Sequence, residues 1–393
     1  MKPTTSHLAL PFFDDVHREL GPRLAGWIGR QQIDERDDRQ ACREWVRQLG
    51  DAGWLRYCVP RGANGALSGA LDRLDSRALV ILRETLAFHS PLADFAFAMQ
   101  GLGSGAITLA GTPEQQAAYL PQVASGAKIA AFALSEADAG SDAGAMTTRA
   151  TKMAGGWTID GSKTWISNGG IADFYVTFVK TDPGAGTRGI TAFIIDADTP
   201  GLDSSEHIAV MAPHPLATLQ FNDCRLAENA QLGALNGGFK LAMQTLDIFR
   251  ASVAGAALGM ARRALLEAVQ HAKTRKMFGQ TLADFQLTQA RIGEMAALVD
   301  AAALLTYRAA WLRDEGERLG QPVRVTAEAA MAKMTATENA QRVIDMALQL
   351  HGGLGVKVGT KVESLYRDIR SLRIYEGATE VQQLIIGKAV LQS

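Results

Sequence analysis

The chain has 393 residues, more than a single core usually organises, and 47% of them are hydrophobic, so two or three domains with a sizeable buried core are expected. Forty basic residues against 41 acidic ones leave a net charge of -1, which argues against the basic footprint of a DNA- or RNA-binding protein. Cys42, Cys58 and Cys224 are odd in number and far apart, so they offer neither a disulfide framework nor a CxxC metal site and fit a reducing compartment.

The N-terminal stretch MKPTTSHLALPFFDD has no long apolar segment and turns acidic at Asp14 and Asp15, unlike a secretory or Arg-rich targeting peptide; it reads as the start of a mature, cytoplasmic protein. Residues 10–126 read as helices with glycine-rich joints, among them 43–54 and the apolar run 78–88. Thr112, Pro113 and Gln115 supply an N-cap, a first-turn proline and an N3 partner, which predicts a helix from 112 or 113 that bends or stops before Pro121. From about Lys128 short β-rich runs alternate with turn residues: WTIDG, KTWIS, FYVTFVK, ITAFIID and ATLQF, with Gly155-Gly156, Asp160-Gly161 and Asp182-Pro183-Gly184 between them. This predicts a small antiparallel sheet domain. After Gly237-Gly238 helical periodicity returns over 239–273, 284–315 and 323–350, with a last helix after Glu376. The most apolar window, 251–266, is broken by Arg262 and Arg263 and is too short to span a bilayer, so it reads as a buried helix and no membrane insertion is expected. The resulting division is 1–127 helical, 128–236 sheet and 237–393 helical bundle. Long uncapped helices with wide apolar faces further predict an oligomer.

Several segments carry chemistry. GLGSGA (101–106) matches a dinucleotide fingerprint formally, yet a helix-compatible run precedes it and no parallel strand follows, so it reads as close helix packing through small residues. The seven histidines form no HxxH or HExxH pattern, and no metal site is expected. The segment 131–150 begins as a strand and ends in a turn rich in glycine, hydroxyls and N–H groups, which can cradle an anion or be an ordinary loop. In KTWISNGG (163–170), Trp165 and Ser167 stand two residues apart on one strand and so on one face, suited either to a flat heteroaromatic ring or to a sheet core. RKMFGQTLADFQ (275–286) offers a guanidinium and a phenyl ring, or merely a charged helix end, and the glycines of LQLHGGLG (348–355) suit close backbone approach or a helix C-cap. RDIRSLRIYEG (367–377) sets the carboxylate of Glu376 between an aromatic and a glycine, where it can be buried and still reach a ligand.

In this order and at these separations, the five segments resemble those of the acyl-CoA dehydrogenase family, most closely from residue 100 onward. The resemblance implies an α+β, mainly helical fold: an N-terminal helical domain, a central antiparallel β-barrel domain and a C-terminal four-helix bundle. It implies FAD as cofactor, an acyl-CoA substrate, an electron-transfer flavoprotein as electron acceptor and a homotetramer. Phe132, Leu134 and Ser135 would line the isoalloxazine, Ser141 would reach the phosphates or the thioester ligand, and Trp165 and Ser167 would contact the ring near its reactive N5. Arg275, Phe278 and Gln286 would cross to the FAD of a neighbouring chain; Gln349, Gly352, Gly353 and Thr379 would also touch cofactor. Asp247, Phe249, Arg250, Tyr375 and Gly377 would border the substrate with Ser141. Glu376 would be the base that removes the α-proton, since Phe249 occupies the place where other members carry their glutamate. Departures from the family pattern are Ser135 and Ser167 for threonine, Ala137-Asp138 for Pro-Gly, Ala378 for threonine, and the loop with Pro213 and Pro215.

The implied reaction is α,β-dehydrogenation to a trans-2-enoyl-CoA, in a degradation route for fatty or other carboxylic acids. Burial beside Ile374 and Tyr375 would raise the carboxyl pKa toward neutrality, as a base for a weakly acidic α-proton requires. An acyl-CoA oxidase using dioxygen, and a non-catalytic flavin- or CoA-binding assembly protein, are the alternatives; the first usually has a further C-terminal domain and the second has no need of Glu376. The uncharged segment 95–99, FAFAM, as pocket floor disfavours a terminal carboxylate on the acyl group. Phe249 adds bulk where other family members carry a smaller residue or the alternative base, which would restrict reach along the acyl chain, so short to medium, uncharged acyl groups, branched or cyclic ones included, are expected.

Overall fold

A computed structural model describes residues 6–321 and 323–392; the first five residues of the N-terminal stretch read above lie outside them. In chain order, five helices, α1 (Asp15–Ile28), α2 (Asp38–Asp51), α3 (Ser76–His89), α4 (Pro91–Ala110) and α5 (Pro113–Ser125), precede eight strands. These are β1 (Ala130–Ala133), β2 (Arg149–Met153), β3 (Gly156–Ser167), β4 (Phe174–Lys180), β5 (Ile190–Asp196), β6 (Leu202–Ile208), β7 (Leu216–Ala227) and β8 (Gln231–Leu232). The long helix α6 (Gly238–Thr274), a hairpin of β9 (Lys276–Met277) and β10 (Gln280–Thr281), and helices α7 (Gln286–Arg318), α8 (Thr326–His351), α9 (Lys361–Leu372) and α10 (Thr379–Leu391) complete the chain. The mainly helical α+β class and the helix–sheet–helix order follow the sequence reading.

The chain forms two compact units. One comprises Ile33–Asp75 and Phe95–Leu246. Its sheet runs β6-β7-β3-β2-β4-β5-β8, with β1 beside β4. Most neighbours pair antiparallel as expected, but β1 lies parallel to β4, Ala130 opposite Phe174, and β2 meets β4 in parallel at Arg149 and Lys180. Asp160-Gly161 is not a turn, a correction to the sequence reading: WTIDG and KTWIS are one strand, β3, whose register against β7 slips between Ile159 and Gly161. Gly161 takes up the irregularity at φ +133°, where a Cβ would lie 2.7 Å from Thr148 Cα. The cap of α5 forms as read, Thr112 Oγ1 accepting from Gln115 N at 3.2 Å and Gln115 Oε1 from Thr112 N at 3.0 Å. The helix nevertheless continues through Pro121 to Ser125 and ends at Gly126 in the left-handed region. GLGSGA lies inside α4, where a Cβ on Gly103 would meet the backbone of Ala130 at 2.8 Å, so the motif serves helix–strand packing.

The other unit comprises Met1–Gln32, Ser76–Asp94 and Asp247–Ser393. Here α7 packs on α3 and α8, and α8 also carries α9 and α10. Fully buried Asp314 of α7 accepts from the N–H groups of Ser76 and Arg77 at 2.8 and 2.9 Å, capping α3 from outside its own sequence. By length and composition α7 could cross a membrane, although 44% of its apolar window is buried inside the protein.

Candidate active site

Amphipathic α9 ends at Leu372, and the chain turns through 373–378 before α10 begins. Glu376 sits in this turn at φ +53° and Gly377 at φ +92°. The left-handed region costs a non-glycine residue roughly 1–2 kcal/mol, so the conformation persists only if its surroundings over-determine it. They do. Gly377 O accepts from Lys333 Nζ and from Gln382 Nε2, both at 2.8 Å, while Glu376 O receives longer bonds from Arg250 Nε and Gln382 Nε2, both at 3.4 Å. Glycine is favoured at position 377 by φ, and a Cβ there would lie 2.4 Å from Gln382 Nε2 and displace that side chain from its bonds to the turn.

The side chain of Glu376 ends in a buried oxygen, Oε2, that has no hydrogen-bond partner among the described residues. Burial pushes its carboxyl pKa up; Arg83, Lys333 and Arg250 pull it back, and Asp94 adds to the rise. Arg83 is held bidentately by Asp94, at 2.8 and 2.9 Å, and donates to Ser252 Oγ at 3.0 Å. Arg250 pairs with Asp247, whose second oxygen accepts from Thr326 Oγ1 at 2.9 Å. Tyr375 has its phenol pKa raised by burial. Phe249, at 1% exposure, is a core side chain that leaves Glu376 without a competing carboxylate at that place.

Sequence reasoning missed Lys333, Gln382 and the Arg83–Asp94 pair. A signal for Lys333 was available: Ala329, Lys333, Ala336 and Ala340 fall at helical spacing on one stripe of α8, and all four are buried. A lone cation on an alanine stripe needs a partner inside the fold.

In the sheet unit, Phe132 packs on Phe178 with ring centroids 4.8 Å apart, and Lys163 Nζ ties Leu134 O at 3.0 Å to Glu136 at 2.8 Å. Glu136 also accepts from the N–H groups of Thr147 and Thr148, which gathers the loop carrying exposed Ser141. Its pKa is lowered to about 2, the Lys163 ammonium and these donors prevailing over burial, which acts the other way. Ser135 O accepts from Thr164 N at 3.0 Å. Trp165 stands at φ +59° beside a register slip between Lys163 and Ile166, so period-2 alternation does not carry from Trp165 to Ser167. Trp165 is 57% exposed all the same, and Ser167 Oγ lies 3.0 Å from Nε2 of His214. His214, between Pro213 and Pro215, packs its ring on Phe95 at 3.9 Å, and burial lowers its pKa to about 4, so it is neutral.

The remaining predicted cofactor contacts lie on the surface of the helical unit. Arg275, Phe278 and Gln286 are exposed, Phe278 to 86%. Phe278 and Gly279 both have positive φ, as a two-residue type I′ hairpin loop between β9 and β10 demands. Gln349 is exposed, and Gly352 caps α8 at φ +57°, ψ -133°, so the C-cap reading of these glycines is realised. Nothing lies within 4 Å of a Cβ built on Gly352 or Gly353. His271 and His351 stack with centroids 4.3 Å apart, which brings together the ends of α6 and α8 that carry these two motifs. The Thr379 hydroxyl is already engaged, donating to Glu338 at 2.6 Å.

The profiles of the acyl-CoA dehydrogenase N-terminal, middle and C-terminal domains match residues 20–127, 131–224 and 236–391. The chain belongs to the acyl-CoA dehydrogenase family and is an FAD-dependent oxidoreductase of that class. Among its relatives is the 3-(aryl)acrylate reductase of Clostridium sporogenes, 37% identical over 389 residues, 97% of this chain and 100% of that one. The caffeyl-CoA reductase-Etf complex subunit CarC of Acetobacterium woodii is 38% identical over 352 residues, 89% of this chain and 90% of the relative. Among solved structures, butyryl-CoA dehydrogenase of Megasphaera elsdenii superposes with a TM-score of 0.88 at 32% identity, covering 96% of this chain and 99% of that one.

Proposed function

We propose that this enzyme converts an acyl-CoA with an uncharged acyl group to its trans-2-enoyl-CoA with Glu376 as the α-proton base. The observation that carries this reading is the clamped turn itself: a buried carboxylate oxygen without a partner, raised in proton affinity, next to the Glu376 backbone N–H, which donates to nothing among the described residues. The carboxylate takes the α-proton, the Cα–H electron pair becomes the new Cα=Cβ bond, and the hydride leaves Cβ. The free N–H suits the thioester oxygen as enolate charge develops, a donor fixed before reaction. Bound FAD supplies the two-electron acceptor for that hydride.

The sheet unit fits a flat heteroaromatic ring: Trp165 stays exposed between half-buried Thr164 and buried Ile166, and Ser167 and Ser135 lie close to it in sequence and pairing. Phe132, Leu134, Trp165 and Ser167 would hold the isoalloxazine, with Arg275, Phe278 and Gln286 reaching the cofactor of a second copy in a homotetramer. Segment 95–99 is buried and uncharged, which disfavours a terminal carboxylate on the acyl group, and the bulk of Phe249 would favour short to medium chains. The two reductase relatives favour a second reading, the reverse reaction on an unsaturated, aryl-bearing thioester, in which a hydride from reduced FAD would reach Cβ while protonated Glu376 returns a proton to Cα. The same residues serve both directions. The Acetobacterium relative's Etf complex supports an electron-transfer flavoprotein as partner.

Anaerobic addition of short, medium, branched, aryl-substituted and dicarboxylic acyl-CoAs, followed by flavin bleaching, tests the reading. Glu376→Gln is expected to keep FAD and ligand binding but to lose reduction by at least about a hundredfold, the lower range for removing a general base. Equal reduction rates in the two proteins would overturn the assignment; an optimum with glutaryl-CoA would overturn the pocket reading alone.

A further inference from the structure

Three cations act on Glu376. Two of them are paired with other carboxylates, Arg83 with Asp94 and Arg250 with Asp247, although Arg250 Nε also reaches Glu376 O at 3.4 Å. The third, Lys333, is completely buried, and among the described residues it has no carboxylate within ion-pair distance. Its ammonium has three protons to donate, and its hydrogen bond is to Gly377 O at 2.8 Å. A buried ammonium is costly unless paired and hydrogen-bonded, so a cation satisfied by one carbonyl is in place for something other than stability. The carbonyl it holds belongs to the residue after Glu376.

We propose that Lys333 is a positioning residue for the base: its hydrogen bond fixes the 376–377 turn, and its positive charge sets the proton affinity of the Glu376 carboxylate. This rests on reading Glu376 as the base. The charged and titratable groups that act on Glu376 or Lys333, or pair with those that do, are Arg83 of α3, Asp94 of α4, Asp247 and Arg250 of α6, Lys333 and Glu338 of α8, Arg373 and Tyr375 of the turn and Glu380 of α10. Of these, Glu338 is bound to Arg373 and Thr379. Burial lowers the Lys333 pKa to about 8, and Glu376 is the leading influence in the opposite direction, so the two groups favour each other's charged forms. Lys333 therefore remains mostly charged at neutral pH, and its charge opposes the rise that burial imposes on Glu376.

The test compares wild type with Lys333→Met, which removes charge and donor, and Lys333→Gln, which removes charge but keeps a donor and a polar tip. Anaerobic flavin reduction by acyl-CoA is followed against pH in the holoenzymes. Independently, the infrared C=O band of the protonated Glu376 carboxyl, identified by its loss in Glu376→Gln, is titrated. Both variants are expected to move the kinetic step and the titration of the band upward by about one unit or more, so that reduction falls by up to about tenfold at pH values below both steps and converges on wild type above them. If rates fall but both titrations coincide with wild type, Lys333 is only a structural clamp and the proposal fails. Should Lys333→Met not fold, Lys333→Gln alone decides by the same two readouts. A pH step that survives in Glu376→Gln would instead show that the titrating group is another one, and the base assignment would fail first.

Discussion

A carboxyl group with an ordinary pKa is ionised at neutral pH but too weak a base for an acyl α-proton, so the environment of Glu376 must lift its proton affinity and still allow ionisation. Burial does the first and Arg83, Lys333 and Arg250 the second. The consequence for stability has a definite sign. The folded-state pKa lies above the unfolded value, so the stabilisation from burying the neutral acid is complete below about pH 4.3 and is lost as pH rises through the raised folded value. Glutamine has no charge to lose. The melting temperature of Glu376→Gln relative to wild type is therefore expected to climb as pH increases from about 4 toward 8, measured on holoenzymes by calorimetry. A difference that stays flat over that window would mean that the carboxyl is not raised. Stability given up at this residue is the counterpart of its reactivity.

At the scale of elements, the periodic helices were legible: α6, α7 and α8 begin and end within a few residues of their expected spans. Interruptions were less so. Asp160-Gly161 has the composition of a turn, but Gly161 serves an irregularity inside β3, because Thr148 approaches too closely for a side chain. Pro121 lies in the body of α5 without ending it. Helix α9 was hidden inside a motif read for its glutamate, and the Asp314 cap on α3 joins residues 238 positions apart, beyond any local pattern. The site was legible at Glu376 and Gly377, whose turn has a sequence signature, and illegible at Lys333 and Gln382, whose roles exist only once helices pack. Element packing also decides the sign of a substitution. Gly293→Ala in α7 meets open space and should gain roughly 0.5–1 kcal/mol from reduced backbone freedom. Gly103→Ala in α4 receives the same benefit but forces a Cβ within 2.7–2.8 Å of Ala130, where overpacking costs roughly 1–3 kcal/mol. Denaturant titrations should move the two midpoints in opposite directions; a stabilised Gly103→Ala would refute the close-packing reading of GLGSGA.

At the scale of the whole molecule, the helical unit leaves several large apolar side chains in solvent: Phe278, Leu287, Val358, Leu384 and Leu391 are all above 70% exposed. A surface of that kind supports the proposed assembly of several copies. Phe278 allows assembly to be separated from folding, because it occupies a left-handed position that glycine would adopt without strain. Phe278→Gly should leave the thermal stability of the isolated fold unchanged or raise it by about 1 kcal/mol, the lower figure for relieving that conformation. If the ring is buried against a second copy and its cofactor, the same change should remove about 1.5–3 kcal/mol per contact, a tenfold or greater weakening of association and of FAD retention. Sedimentation at falling protein concentration, with flavin content measured on each species, reads both quantities. Dissociation and flavin loss without loss of fold would support a cofactor site completed by the neighbouring copy. Unchanged assembly and unchanged flavin content would leave Phe278 as an exposed hairpin residue and remove the argument for sharing.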